Sequence, residues 1–115
     1  MEDRMPRDDY EACIEACQAC ATACDNCSTA CLQEDDVNMM VRCIALDMDC
    51  AAICRDAAAF MARGSDFAAE LCRLCATVCD ACAAECGQHQ MDHCQECAQA
   101  CRRCAEACRQ MAQAA

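Results

Sequence analysis

The sequence is poor in aromatic residues, glycine and proline. Its 115 residues include no Trp, one Tyr, two Phe, two Gly and one Pro. An ordinary core of this size would use more large apolar side chains, so small side chains must fill the interior. Loop-rich disulfide scaffolds place Gly and Pro at their turns, and the scarcity of both residues argues against that class of protein.

Positive charge and long apolar runs are scarce as well. Nine Lys and Arg face 20 Asp and Glu, so the formal net charge is −11. Nucleic-acid binding needs a basic surface, so we expect no nucleic-acid partner. No run of 18 apolar residues is present, and we therefore expect no membrane span. The first residues carry mixed charges without an apolar stretch, which predicts no signal peptide and a cytoplasmic protein.

Cysteine is the residue that the sequence has in excess, with 19 copies. An odd number cannot form a complete set of intrachain disulfides, and a reducing compartment would keep the thiols free. The cysteines fall into four groups along the chain. These groups are Cys13, Cys17, Cys20, Cys24, Cys27 and Cys31; Cys43, Cys50 and Cys54; Cys72, Cys75, Cys79, Cys82 and Cys86; and Cys94, Cys97, Cys101, Cys104 and Cys108.

The spacing of the cysteines predicts α-helices. In the first, third and fourth groups, successive cysteines are alternately three and four residues apart. Such steps place every cysteine on one stripe of a helix, in a heptad with cysteine at both seam positions. Short connections then predict an all-α, antiparallel up-down-up-down four-helix bundle with a cysteine-lined core. The helices are predicted at 8–33, 36–62, 66–86 and 92–112, in one domain over 1–115 with 1–7 as a loose N-terminal segment.

The continuous ladder of thiols indicates a store of soft metal ions. A buried cysteine often acts as a small hydrophobic residue, but Leu or Ile would stabilise the same seam better. Thiolates bind Cu(I), Zn(II) and iron–sulfur clusters. Zinc sites and iron–sulfur clusters use discrete sets of four ligands, whereas this ladder is unbroken. It therefore favours Cu(I) on all the cysteines, at about one ion per Cys if each sulfur bridges two ions.

Two other functions remain open at this point. A zinc or general metallothionein-like buffer of soft metals is the main alternative, because zinc also binds thiolates. An enzyme is the least favoured reading. The sequence has no nucleophile beside a paired base, no Gly-rich phosphate loop and no cofactor motif.

The second helix differs from the others. Asp47 takes a seam position between Cys43 and Cys50, so a carboxylate interrupts the ladder. This helix is apolar nearly all round, and the third helix carries apolar residues beside its cysteines. These stripes either pack within the bundle or face another subunit. We favour the second, because one four-helix bundle has only one inner core.

The predicted topology brings both histidines, His89 and His93, to the end of the bundle near Asp47. Histidine and methionine are metal ligands, and a buried carboxylate needs a partner. We predict a mouth at which His89, His93 and Asp47 pass or hold ions, with Met40 as a further candidate ligand. The alternative is that the histidines are ordinary loop residues and Met40 only packs. The opposite end carries two methionines, which indicate a hydrophobic plug.

The pattern HxxxHCxxCAxxCRxCAxxCRxM, from His89 to Met111, resembles the copper storage protein family, and the match of the ladders extends from Cys13 onward. The resemblance implies Cu(I) storage inside the bundle, a homotetramer of bundles and an open end with His and a carboxylate. His89, His93 and Asp47 match that end by position. The absence of a signal peptide resembles the cytosolic branch. Proteins or small thiols that donate or accept copper are further expected partners.

Overall fold

The computed structural model describes residues 7–114, and their side chains from Tyr10 to Gln113. The chain forms four α-helices and one short 3-10 helix, Val37–Met40. The α-helices are α1 (Arg7–Leu32), α2 (Val41–Ala62), α3 (Ala68–Cys86) and α4 (Asp92–Ala114). Of the predicted loose segment, residues 1–6 lie outside the described residues, and Arg7 already belongs to α1.

The four helices form a square bundle. α1 contacts α2 and α4, and α3 contacts the same two helices. Because short connections join consecutive helices, neighbours run antiparallel, and the predicted up-down-up-down bundle is confirmed. α1 has 26 residues, about 39 Å at 1.5 Å per residue. No described helix has the length and hydropathy needed to cross a membrane.

The core of the bundle is made of small side chains. All 19 cysteines are buried, together with a set of alanines that flank the seams. Small residues at the contacts let helix backbones approach closely, because interaxial distance depends on the side chains between them. The remaining buried residues of the described chain are Met40, Met61, Met111 and Asp47.

The turn between α2 and α3 depends on glycine. Gly64 has φ 66°, a left-handed conformation that residues with a Cβ rarely adopt. The Ser65 N–H donates to the Phe60 carbonyl at 2.9 Å and the Gly64 N–H donates to the Met61 carbonyl at 3.0 Å. This pair of bonds is a Schellman motif, which ends α2 and satisfies two of its last carbonyls.

Two helix starts differ from the prediction. The second helix is predicted from residue 36, but α2 begins at Val41 after the 3-10 helix. Such 3-10 turns are frequent at α-helix N-termini. This one places Met40 in the end of the core. The third helix was expected from residue 66 and begins at Ala68. There the Ser65 hydroxyl accepts the N–H of Phe67 at 3.0 Å, and this local turn delays the helix.

Candidate metal-binding core

The thiols form one connected column along the bundle. Sulfur atoms meet within a helix, as in Cys50–Cys54 at 3.9 Å. They also meet across helices, as in Cys20–Cys101 at 3.6 Å and Cys50–Cys79 at 3.5 Å. Cys20, Cys50 and Cys101 each belong to more than one of these contacts. The column is therefore a network in which neighbouring ions would share sulfur ligands.

Asp47 lies inside this column and is fully buried. Its Oδ1 atom lies 3.2 Å from the Sγ of Cys97 and 3.3 Å from that of Cys82. The same oxygen lies 3.4 Å from Cys86, and Oδ2 lies 3.8 Å from Cys43. Burial, followed by the negative charge of the Cys97 thiolate, raises the pKa of Asp47 to about 10. The carboxyl is therefore protonated at neutral pH, which is how a low-dielectric site holds a carboxyl that has no cation beside it.

His93 joins the column at one end. Its Nδ1 lies 3.5 Å from Cys27, 3.6 Å from Cys94 and 4.0 Å from Cys31. Its Nε2 lies 2.9 Å from a carboxylate oxygen of Glu34. Burial raises the pKa of Cys94 to about 11 and also raises the pKa of Cys31, so both thiols hold their protons at neutral pH. We call this end, with His93, Glu34, Cys31 and Cys94, the mouth.

His89 has different surroundings. Its Nε2 pairs with Glu85, one turn earlier on α3, at 3.0 Å. The amide of Gln95 donates to the carbonyls of Gly87 at 3.1 Å and His89 at 2.6 Å, which fastens the loop onto α4. The two histidines are thus at the same end, but His93 contacts thiols and His89 pairs with the carboxylate of Glu85.

The opposite end of the column is covered by apolar side chains. Cys108 contacts Cys13 at 3.9 Å and Cys17 at 3.6 Å. Met61 and Met111 are buried there. A cavity of about 10 Å³, lined by Tyr10, Ala68, Ala69, Cys72 and Met111, has room for about one water molecule.

Comparison with known proteins identifies the family to which this core belongs. The family described as "Copper storage protein" matches residues 6–113. The chain belongs to the copper storage protein family. No match was found among curated proteins.

Solved copper storage proteins have the same fold. The Cu(I)-bound protein BsCsp3 is 52% identical, with TM-score 0.87 over 90% of this chain and 98% of that chain. The apo copper storage protein 3 from Bacillus subtilis is 53% identical, with TM-score 0.85 over 89% and 97%. The Streptomyces lividans protein loaded with 10 copper equivalents is 40% identical, with TM-score 0.91 over 95% and 87%.

The structure brings most of the predicted residues of this copper storage family member together. All 19 cysteines lie in the core, and Asp47 and His93 contact them. Met40 is buried at the start of α2, and His89 pairs with Glu85. That the cysteines, Asp47, His89, His93 and Met40 are ligands stays a prediction.

The two carboxylates that hold the histidines are not among the residues predicted from the sequence. Glu85 precedes His89 by four residues, but α3 ends at Cys86, so sequence separation was the one signal that could have related the two residues. Glu34 follows α1 in a polar turn, and nothing in its spacing relates it to His93, 59 residues away. Only the antiparallel packing of α1 and α4 brings these two residues together.

Proposed function

We propose that this protein stores Cu(I) in the cytosol, at about one ion for each cysteine, and that it is not an enzyme. The observation that carries the proposal is the connected column of 19 buried free thiols. Soft, low-coordinate Cu(I) suits a ladder in which each sulfur has neighbours on its own helix and on others. A cytosolic Streptomyces lividans relative is described as loading five coppers, which supports storage of several ions here.

Loading exchanges protons for metal ions. Each thiol that binds Cu(I) loses a proton, and each cation offsets one thiolate charge, so burial of many thiolates becomes tolerable. Asp47 is protonated at neutral pH because burial raises its pKa to about 10. At this one interruption of the ladder, the protein therefore adds no further negative charge to the column.

The mouth admits the ions. Nδ1 of His93 lies 3.5 Å from Cys27, close enough for an ion held by the imidazole to pass to a thiol. Asp47 then lies among the next sulfur atoms, 3.4 Å from Cys86. His89 and Met40 stand at the same end and supply further donor atoms to ions that arrive from donor proteins or small thiols.

The protein assembles as a homotetramer of bundles. Large apolar side chains are exposed near the mouth and along α2 and α3, where another subunit can cover them. They include Met39, Val41, Met48, Phe67 and Leu74. Sedimentation of the apo protein should give four times the chain mass of 12.5 kDa, whereas a 12.5 kDa species at micromolar concentration would contradict the tetramer. Cell fractionation tests the cytosolic location, and recovery outside the cytosol would overturn it.

Anaerobic titration with Cu(I) tests the storage function. Reduced apo protein should take up well over ~10 ions per chain and withhold them from a strong Cu(I) chelator, because thiolates bind this ion tightly. A control in which the unfolded thiols are first alkylated should take up none. Saturation at about four ions, with zinc preferred, would contradict copper storage.

A further inference from the structure

Four potential ligand atoms at the mouth form a compact group that differs from the rest of the column because one of them is a nitrogen atom. They are the Sγ atoms of Cys27, Cys31 and Cys94 and the Nδ1 of His93, all within 4.8 Å of one another. The Sγ–Sγ distances are 3.8 Å for Cys27–Cys31 and for Cys27–Cys94, and 4.0 Å for Cys31–Cys94. From Nδ1 the three sulfur atoms lie 3.5, 4.0 and 3.6 Å away.

These six distances are those of a tetrahedron around zinc. With Zn–S of about 2.3 Å and Zn–N of about 2.0 Å, a regular tetrahedron has S···S edges of about 3.8 Å and S···N edges of about 3.5 Å. Each observed edge lies within ~0.5 Å of these values. The four atoms therefore need almost no movement to enclose the ion, and Cys3His is a ligand set that zinc uses in structural sites.

The histidine is also oriented as zinc-bound histidines are. Its Nε2 lies 2.9 Å from the Glu34 carboxylate, so Nε2 carries the proton and donates it in a hydrogen bond. The lone pair of Nδ1 is then free and faces the three thiols. A carboxylate that holds the far nitrogen of a ligand histidine fixes its tautomer and increases its basicity as a ligand.

Charge separates this group from the sulfur groups deeper in the column. One Zn(II) on four buried thiolates, such as Cys20, Cys24, Cys50 and Cys101, would leave two net negative charges in the core. On three thiolates and a neutral imidazole it leaves one, at a place where His93 and Glu34 are part-exposed. Burial of net charge is costly, so the mouth is the favoured position for a divalent ion.

We propose that the copper-free protein binds one Zn(II) per chain at the mouth, through Cys27, Cys31, Cys94 and His93. Binding releases three thiol protons and leaves the site with one net negative charge. The ion joins α1 to α4, since each helix supplies two of the ligands. Because the same three sulfur atoms belong to the copper column, complete loading with Cu(I) displaces the zinc.

Zinc retention by the apo protein tests the site. Reduced protein is loaded with excess Zn(II) under anaerobic conditions and passed over a chromatography resin that carries a weak chelator. Bound zinc is then measured by atomic absorption. We expect one Zn per chain, with X-ray absorption spectra that fit three sulfur ligands and one nitrogen ligand. Substitution by Co(II) should give the intense visible bands of a tetrahedral thiolate site.

Variants at the two histidines supply the matched comparison. His93→Ala should weaken zinc binding at least tenfold and remove the nitrogen ligand from the spectrum, whereas His89→Ala, which leaves all four proposed ligands in place, should weaken it less and keep the nitrogen ligand. Glu34→Gln should weaken binding by ~10-fold, the lower end of the effect of removing such a partner. Equal retention in His93→Ala and wild type would overturn the site, as would a spectrum with four sulfur ligands.

Copper titration of the same preparations keeps this inference separate from the proposed function. Wild-type protein that fills with Cu(I) but retains no zinc would overturn the zinc site and leave copper storage intact. Protein that retains one zinc at the mouth but takes up only about four Cu(I) ions would overturn copper storage and support the zinc site. Release of one Zn per chain during copper loading is the expected result and supports the displacement.

Discussion

The two ends of the bundle carry the same cysteine ladder and differ in what covers it. At the mouth, His93 contacts three thiols and is held by Glu34. At the opposite end, the side chains of Met61 and Met111 are buried and supply apolar groups. The ladder itself sets how many ions fit, because its length fixes the number of thiols. The groups at each end differ in the ligands they place beside the thiols, since a histidine nitrogen held by a carboxylate contacts the sulfur atoms at the mouth.

The largest expected effect concerns the carboxyl near the mouth. Burial raises the folded-state pKa of Asp47 from 3.8 to about 10, so the folded protein binds this proton more tightly than the unfolded chain does. The contribution of Asp47 to the free energy of unfolding is complete below pH ~4, where the carboxyl is protonated in both states. It is lost as the pH rises toward the pKa of the folded protein. At pH 7 the unfolding free energy is lower by at most about 4 kcal/mol. This figure takes the roughly three pH units between the unfolded pKa of 3.8 and pH 7 at about 1.36 kcal/mol each.

Asp47→Asn should therefore stabilise the apo protein at pH 7 and flatten the pH dependence of its free energy of unfolding. Denaturation by urea under reducing conditions, from pH 5 to pH 8, measures both effects. The opposite end has no buried carboxyl among its described residues, so the difference between wild type and variant isolates the mouth. Parallel pH profiles for the two proteins would contradict the raised pKa.

The apolar end is tested by Met61→Ala. Met61 is buried, and truncating a buried Met to Ala creates a cavity that costs about 3 kcal/mol of unfolding free energy. Copper capacity and the rate of loading should not change, because the proposed entry for the ions lies at the other end of the bundle. Stopped-flow loading from a coloured Cu(I) chelator, beside urea denaturation, separates the two quantities. Faster loading in the variant would indicate that ions also pass through the plug.

The sequence was sufficient to predict the bundle, because heptad spacing determines which face of each helix is buried and short connections determine the topology. It also placed Asp47 in the seam. It could not distinguish the two histidines, because their partners depend on loop conformation and on helix packing. His93 meets Glu34 across 59 residues, and no local pattern encodes that contact.

A smaller effect is expected from His93→Ala on copper loading. Without the imidazole, an arriving ion loses the nitrogen ligand that precedes Cys27, Cys31 and Cys94, so we expect loading to slow by about tenfold, equivalent to ~1.4 kcal/mol. Capacity should stay nearly unchanged, because the thiols remain. His89→Ala, at the same end but paired with Glu85, should slow loading less. A large loss of capacity in His93→Ala would contradict a role in passing ions.

The smallest effect is expected from Glu34→Gln. The glutamine carbonyl can still accept the hydrogen bond from Nε2 of His93, but it lacks the charge that strengthens the bond and makes the imidazole a better ligand. We expect copper loading to slow by about threefold, between wild type and His93→Ala, with unchanged capacity. Glu85→Gln is the matched control, because it removes the same charge beside His89. Equal slowing by Glu85→Gln and Glu34→Gln would mean that His89 and His93 act alike. The mouth would then differ from the apolar end by its acidic side chains in general, and not by the contact of His93 with the thiols.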